Sequence, residues 1–294
     1  AAKYAIIREM FGVHNLSYAN AFLQIFSLIG IIASSWLAIV GVNLIDLQAL
    51  VRYEAVGVII SKSVVIPWIL VTVSVLGTVA SFLIPKVKYN DKNIKFSVAR
   101  RRLSFGWRHR TLRASIIALS MFWALAQVFL LVFQDVSGSQ TVNTMQNYLA
   151  FAVVGLVVGS IIAAHNSKDF IETGFVPLGM IGASLCMFLI PFFVHPVALS
   201  ILYTAIGIFG GMFLVPVNAL LQYNTRPNNS GWVIALANMI QALVLVVFLF
   251  IYSSLVRYTS LEPPYYFIGL ALISVGVFYW SILNLPQALV RSLL

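Results

Sequence analysis

Acidic side chains are scarce: eight Asp and Glu stand against 18 Lys and Arg in 294 residues, and charged residues of both signs make up 9% of the chain while hydrophobic ones make up 61%. So few polar groups cannot coat a water-soluble particle of this size, which excludes a soluble globule. There is one cysteine, Cys186, inside the apolar run from Ser184 to Phe193. An intrachain disulfide framework and a paired-thiol metal site are therefore excluded, and Cys186 reads as a small buried hydrophobe. The four histidines, His14, His109, His165 and His195, are far apart in loops or at segment ends. They supply no metal-ligand cluster, and no cofactor is expected. The apolar segments also lack the two-residue alternation of a membrane barrel.

What the chain has instead is long apolar runs. Dividing it at charges, prolines and polar clusters gives eight candidate spans at about 18–42, 64–84, 114–134, 144–164, 174–193, 197–222, 232–256 and 265–284, each near the ~20 residues that cross ~30 Å of hydrocarbon. Lipid offers no partner to a backbone amide, so all eight must be helices. The fold class that follows is an all-α polytopic membrane bundle. Residues 43–61 carry Asp46, Arg52 and Glu54 among apolar residues and read as an external interfacial helix rather than a ninth span.

The cations are not spread evenly over the connectors. Lys86 to Arg113 is dense in Lys and Arg against one acid, Asp91, and with that connector inside, Lys3, Arg8, Lys168, Arg226 and Arg291 also fall inside, leaving Arg52, Lys62 and Arg257 outside. Short cationic loops resist translocation, so this asymmetry fixes the orientation with Lys86 to Arg113 cytoplasmic. A net charge of +10 placed beside spanning segments points to anionic lipid headgroups, not nucleic acid, at about 1 kcal/mol per basic residue near the surface. Residues 1–85 then form one part with two spans, 86–113 a basic connector, and 114–294 a part with six spans. The chain opens Ala-Ala-Lys-Tyr, which reads as the middle of a longer protein.

No Asp, Glu, Lys or Arg lies near the centre of a span; the nearest, Asp135, stands at the outer end of the third. A proton or sodium relay needs an intramembrane carboxylate, so coupling either uses residues outside this chain or is absent. The interior offers carboxamides. Asn218 and Gln222 are four apart on one helix, and Asn238 and Gln241 nearly share a face on the next. They are candidates to bind a phosphate-bearing headgroup, the competing role being interhelical glue. Gln127 and Gln24 are lesser candidates against ordinary packing or capping. Gly155 with Gly159 reads as close helix packing; Gly207 with Gly211, joined by Gly210 and Pro216, reads as either packing or a gating element. No nucleophile-base pair or metal cluster lies within the spans, which argues against an enzyme.

Six helices behind a long basic connector, preceded by further helices, match one half of a major facilitator transporter and part of the other. The run Gly207-Ile-Phe-Gly-Gly-Met-Phe-Leu-Val-Pro-Val-Asn-Ala-Leu-Leu-Gln222 resembles the tenth helix of the bacterial lysophospholipid transporters of that superfamily. Ala2-Lys3-Tyr4 with Ala19-Asn20-Ala21 and Ile84-Pro85 resemble that family's fourth-to-fifth helix connector and the end of its sixth helix. The resemblance implies helices five to twelve, a bacterial inner-membrane location, and a lysophospholipid substrate such as lysophosphatidylethanolamine moved by alternating access. It also implies that Glu172, beside Lys168 and Asp169 on an inner loop, belongs to a charged latch; a solvated loop charge is the plainer reading.

Ile171 to Gly179 and Leu285 to Arg291 are similar to members fused to a glycerophospholipid acyltransferase and acyl-carrier-protein ligase, which implies such an enzyme downstream. The departures are the Ile32-Ala33-Ser34-Ser35 stretch where the family has glycines, one asparagine fewer around Asn238, and an uncharged Gln127 to Gln134 where stand-alone members carry an arginine. They keep two other functions open: a membrane scaffold for the fused acyltransferase, and an exporter of amphiphilic drugs.

Overall fold

The computed structural model describes residues 15–44, 65–82, 109–137, 142–167, 171–225, 230–259 and 261–285. The interfacial helix expected at 43–61, most of the Lys86 to Arg113 connector, Lys168, Asp169, Arg226 and the stretch from Pro286 on lie outside these described residues, apart from residues 43 and 44.

Among the described residues, eight α-helices occupy the eight expected positions: α1 Leu16–Leu44, α2 Val65–Ser81, α3 Arg110–Ser137, α4 Val142–Asn166, α5 Phe175–Leu189, α6 Pro196–Tyr223, α7 Ser230–Tyr258 and α8 Tyr266–Asn284. Six of them, α3 to α8, contain stretches long and apolar enough to cross a membrane; within α1 and α2 the apolar stretches described are Leu16–Ile31 and Val71–Ala80. Large apolar side chains are exposed along these helices, for example Phe250, Val246 and Ile201. Such a surface is stable in hydrocarbon rather than water. The chain is a multi-pass, all-helical membrane protein.

Local sequence sets the helix ends. α6 starts where Pro196 fills the first position, which has no intrahelical use for an N–H, and His195 Nδ1 accepts from the Val197 N–H at 3.3 Å. α5 gives way at Leu189 to a short 3-10 turn, Ile190–Phe192, because Pro191 removes a donor. The expected fifth span of 174–193 is thus not α-helical throughout.

Two compact units are present, one formed by residues 1–28 and 91–294 and the other by 29–90. In the first, α6 is the hub: it packs most extensively against α4, then α5, and also touches α3, while α3 pairs with α7, and α5 with α8. Phe213 and Phe267 are fully buried in its core. Phe213 stacks on Phe122 with centroids 5.4 Å apart, and Phe129, Phe133, Tyr148 and Tyr203 form a linked aromatic cluster.

Candidate functional site

The glycines of α4 and α6 form one seam. A β-carbon on Gly155 would collide with the Thr204 carbonyl, one on Gly159 with the Ile208 carbonyl, one on Gly207 with the Ala152 carbonyl and one on Gly211 with the Leu156 carbonyl. The contacts are reciprocal and run backbone to backbone, so only glycine lets the two helices approach this closely. The two pairs, one expected to pack and the other either to pack or to gate, therefore line opposite sides of the same interface. Gly210 faces elsewhere: a β-carbon there would sit 3.6 Å from the Phe122 ring, an ordinary contact. Pro216 is buried inside α6, which continues through it; its missing N–H leaves the Met212 carbonyl without the usual partner.

The amides divide by partner. Gln222, 1% exposed, makes a reciprocal pair with Asn20 of α1: Gln222 Nε2 donates to Asn20 Oδ1 at 2.7 Å, and Asn20 Nδ2 donates to Gln222 Oε1 at 3.1 Å. Asn20 Nδ2 also donates to the Leu16 carbonyl at 2.8 Å. Apolar contacts flank the bridge, with Leu16 and Ala19 against Ala219, and Ala21 against Ala163, Ala164 and Val215. Asn218, one turn before Gln222 and half-buried, donates instead to the Leu214 carbonyl of its own helix at 3.0 Å. On α7, Asn238 is exposed and Gln241 half-buried; on α3, Gln127 is exposed. Gln24 is half-buried on α1. Asn218 and Gln222 thus share a helix face by spacing but are committed to different partners.

Glu172 is half-buried in the turn entering α5, where its carboxylate accepts from the Gly174 N–H at 3.2 Å and its own N–H donates to Ser167 Oγ at 3.3 Å. A negative charge there also complements the positive end of α5.

Sequence reasoning missed two sites. Asn20 stands within the Ala19-Asn20-Ala21 motif, and nothing local signals a partner 202 positions away. The second joins α3, α7 and α8: the Tyr252 hydroxyl donates to Asp135 Oδ2, the Tyr252 and Tyr266 rings meet edge to face at 5.6 Å, and Tyr266 Oη lies 3.0 Å from Thr259 Oγ1. Composition near a span end suggests an interfacial aromatic belt, yet Tyr252 is buried. Removing the hydroxyl in Tyr252→Phe is expected to destabilise the protein by about 1 kcal/mol, since the Asp135 carboxylate then loses a donor. A thermal melt in detergent reads this as a lowered midpoint beside an unchanged Tyr265→Phe control.

At mid-height of the first unit, α3, α4, α5 and α6 line a partly open apolar cavity of about 180 Å³, with Ser274 of α8 contributing to its wall. Among the described residues no group of three or more His, Cys, Asp or Glu is placed to hold a metal ion.

The sequence has relatives among known proteins. The model of the Major Facilitator Superfamily matches residues 1–249. Two proteins named lysophospholipid transporter LplT are similar: that of Photorhabdus laumondii is 25% identical, covering 97% of this chain and 67% of the relative, and that of Escherichia coli K12 is 26% identical with the same coverage of both chains. No solved structure gives a significant match. The family match extends over most of the chain, from its first residue into α7, and on that ground the chain belongs to the Major Facilitator Superfamily, a family of transporters.

Proposed function

We propose that the chain is part of a bacterial inner-membrane transporter that moves lysophospholipid, such as lysophosphatidylethanolamine, by alternating access. The observation that carries this reading is the end-to-end likeness to proteins named lysophospholipid transporters, joined to an interior almost without charge. A single-tailed lipid needs its charged head sheltered from hydrocarbon while its tail stays in an apolar setting. A carboxamide-lined path with apolar walls meets both needs.

Exposed Gln127 and Asn238 support such a path, since an amide turned to lipid tails would lack hydrogen-bond partners and cost about 1 to 3 kcal/mol. We assign headgroup contacts to Asn218, Asn238, Gln241 and Gln127. Gln222, bonded to Asn20, serves as a bridge in the present state and reaches substrate only after that bridge opens. Residues 1–85 supply helices five and six of the transporter, Lys86 to Arg113 a cytoplasmic connector seated on anionic headgroups, and 114–294 its second half, with four further helices in the parent protein. The seam makes α4 and α6 rock as one body; Pro216 with Gly210 supplies give in α6, and Glu172 braces the inner turn.

Reconstituting the full-length protein in vesicles and following labelled lysophosphatidylethanolamine between leaflets tests the reading. Transfer well above that of protein-free vesicles is expected. A rate equal to theirs overturns transport and favours a scaffold for a fused acyltransferase.

A further inference from the structure

The cavity at mid-height is not explained by headgroup recognition, because its lining holds no carboxamide. Phe122, Leu125 and Phe129 of α3, Leu156 of α4 and Met180 and Met187 of α5 line it, and the one lining side chain with a polar atom is Ser274, whose hydroxyl is buried without a partner. Its volume of about 180 Å³ exceeds the ~150 Å³ of an apolar protein cavity that stays dry and takes up benzene. It therefore has room for a hydrocarbon segment of about six carbons.

Its depth identifies that segment. The lining residues fall in the middle of α3, α4 and α6, helices whose spans cover 20 to 28 residues. The midplane of a ~30 Å hydrocarbon core is about 15 Å from either interface, the depth at which the last carbons of a single acyl chain lie when its head is at the surface. Half-buried Ala126 and Leu130 of α3 and Leu149 and Val153 of α4 form a rim between two spanning helices, so a tail can enter sideways without passing a polar layer.

We infer that this cavity receives the methyl end of the acyl chain of a single-tailed lipid, and so positions the substrate by its tail. The inference rests on the lysophospholipid reading above. Lipid tails are as apolar as the cavity walls, so entry contributes little affinity. What it contributes is register: a tail end held at the midplane fixes how far the head reaches along the path. A lipid with two tails brings a second chain that the cavity has no room for.

The test uses the full-length protein in vesicles and a lysophosphatidylethanolamine carrying a diazirine at the methyl end of its chain. After illumination, labelled peptides are mapped by mass spectrometry. The expected label falls on Phe122 to Leu130 and Gly179 to Met187, and Ala126→Phe, which fills the rim, lowers its yield about tenfold, corresponding to 1.4 kcal/mol of lost occupancy. Ala183→Leu narrows the cavity from another helix and gives the same loss should Ala126→Phe fail to fold. Label confined to outward side chains such as Phe250 and Val246, or unchanged in both folded variants, overturns the inference. Transport without label in the cavity refutes the tail pocket alone, whereas label in the cavity without transport refutes the transport reading and keeps the pocket.

Discussion

Gly159→Leu is expected to yield no folded protein. A β-carbon at this position already overlaps the Ile208 carbonyl, and the obstacle is backbone, which cannot turn aside as a side-chain tip can. Separating α4 from α6 to admit a leucine would also pull Gly155 from Thr204 and Gly207 from Ala152, so the cost falls on the whole seam. We expect a loss on the order of 4 kcal/mol or more, at the upper end of what overpacking produces. Size-exclusion chromatography of a fluorescent fusion reads this as disappearance of the monodisperse peak. Gly210→Ala is the matched contrast: its β-carbon meets Phe122 at 3.6 Å, so that variant should stay within about 1 kcal/mol of the parent, aided by alanine's better helix propensity. A Gly159→Leu protein melting like the parent would show that the seam opens at little cost.

The second large effect concerns the bridge between α1 and α6. Asn20→Leu or Gln222→Leu alone removes the reciprocal pair from a buried carboxamide, which costs about 1 to 3 kcal/mol, whereas replacing both residues removes the affected group as well. The double variant should therefore be more stable than either single one, and the cycle should give a coupling of about 1 to 3 kcal/mol. Function separates bridge from glue. On the proposed orientation, with the Lys86 to Arg113 connector cytoplasmic, the start of α1 and the end of α6 would face the cytoplasm, so breaking the bridge would favour opening there. The double variant should fold, yet its inner face should become more accessible to proteases and hydrophilic thiol reagents at introduced cysteines. Additive single effects would mean that each amide acts alone.

These two sites show where sequence reading succeeds and where it stops. The helix positions were legible from length and apolarity: α1, expected at about 18–42, runs Leu16–Leu44, and α6, expected at about 197–222, runs Pro196–Tyr223, while six of the helices, α3 to α8, are long and apolar enough to cross a membrane. The close-packing glycines were legible as a spacing. Which helix each pair touches was not, since that depends on how distant segments dock, and nothing in the spacing shows that Gly155 and Gly207 share an interface. The partners of the amides are hidden for a related reason. Four-residue spacing puts Asn218 and Gln222 on one face of α6, but spacing says nothing of what lies opposite. Gln222 meets Asn20, and Asn218 turns back to Leu214. The Tyr252 to Asp135 contact was hidden in the same way, each residue reading plausibly as an interfacial group when taken alone.

The most direct test of the central claim, that one lipid tail is held in an apolar interior while carboxamides shelter the head, is to count tails. Vesicles containing the full-length protein would be offered lysophosphatidylethanolamine and diacyl phosphatidylethanolamine with the same labelled head, and transfer of each between leaflets would be timed against protein-free vesicles. The account predicts that the single-tailed lipid moves at least about tenfold faster, a selectivity of 1.4 kcal/mol. Equal rates for the two lipids, or no acceleration of either, would contradict it.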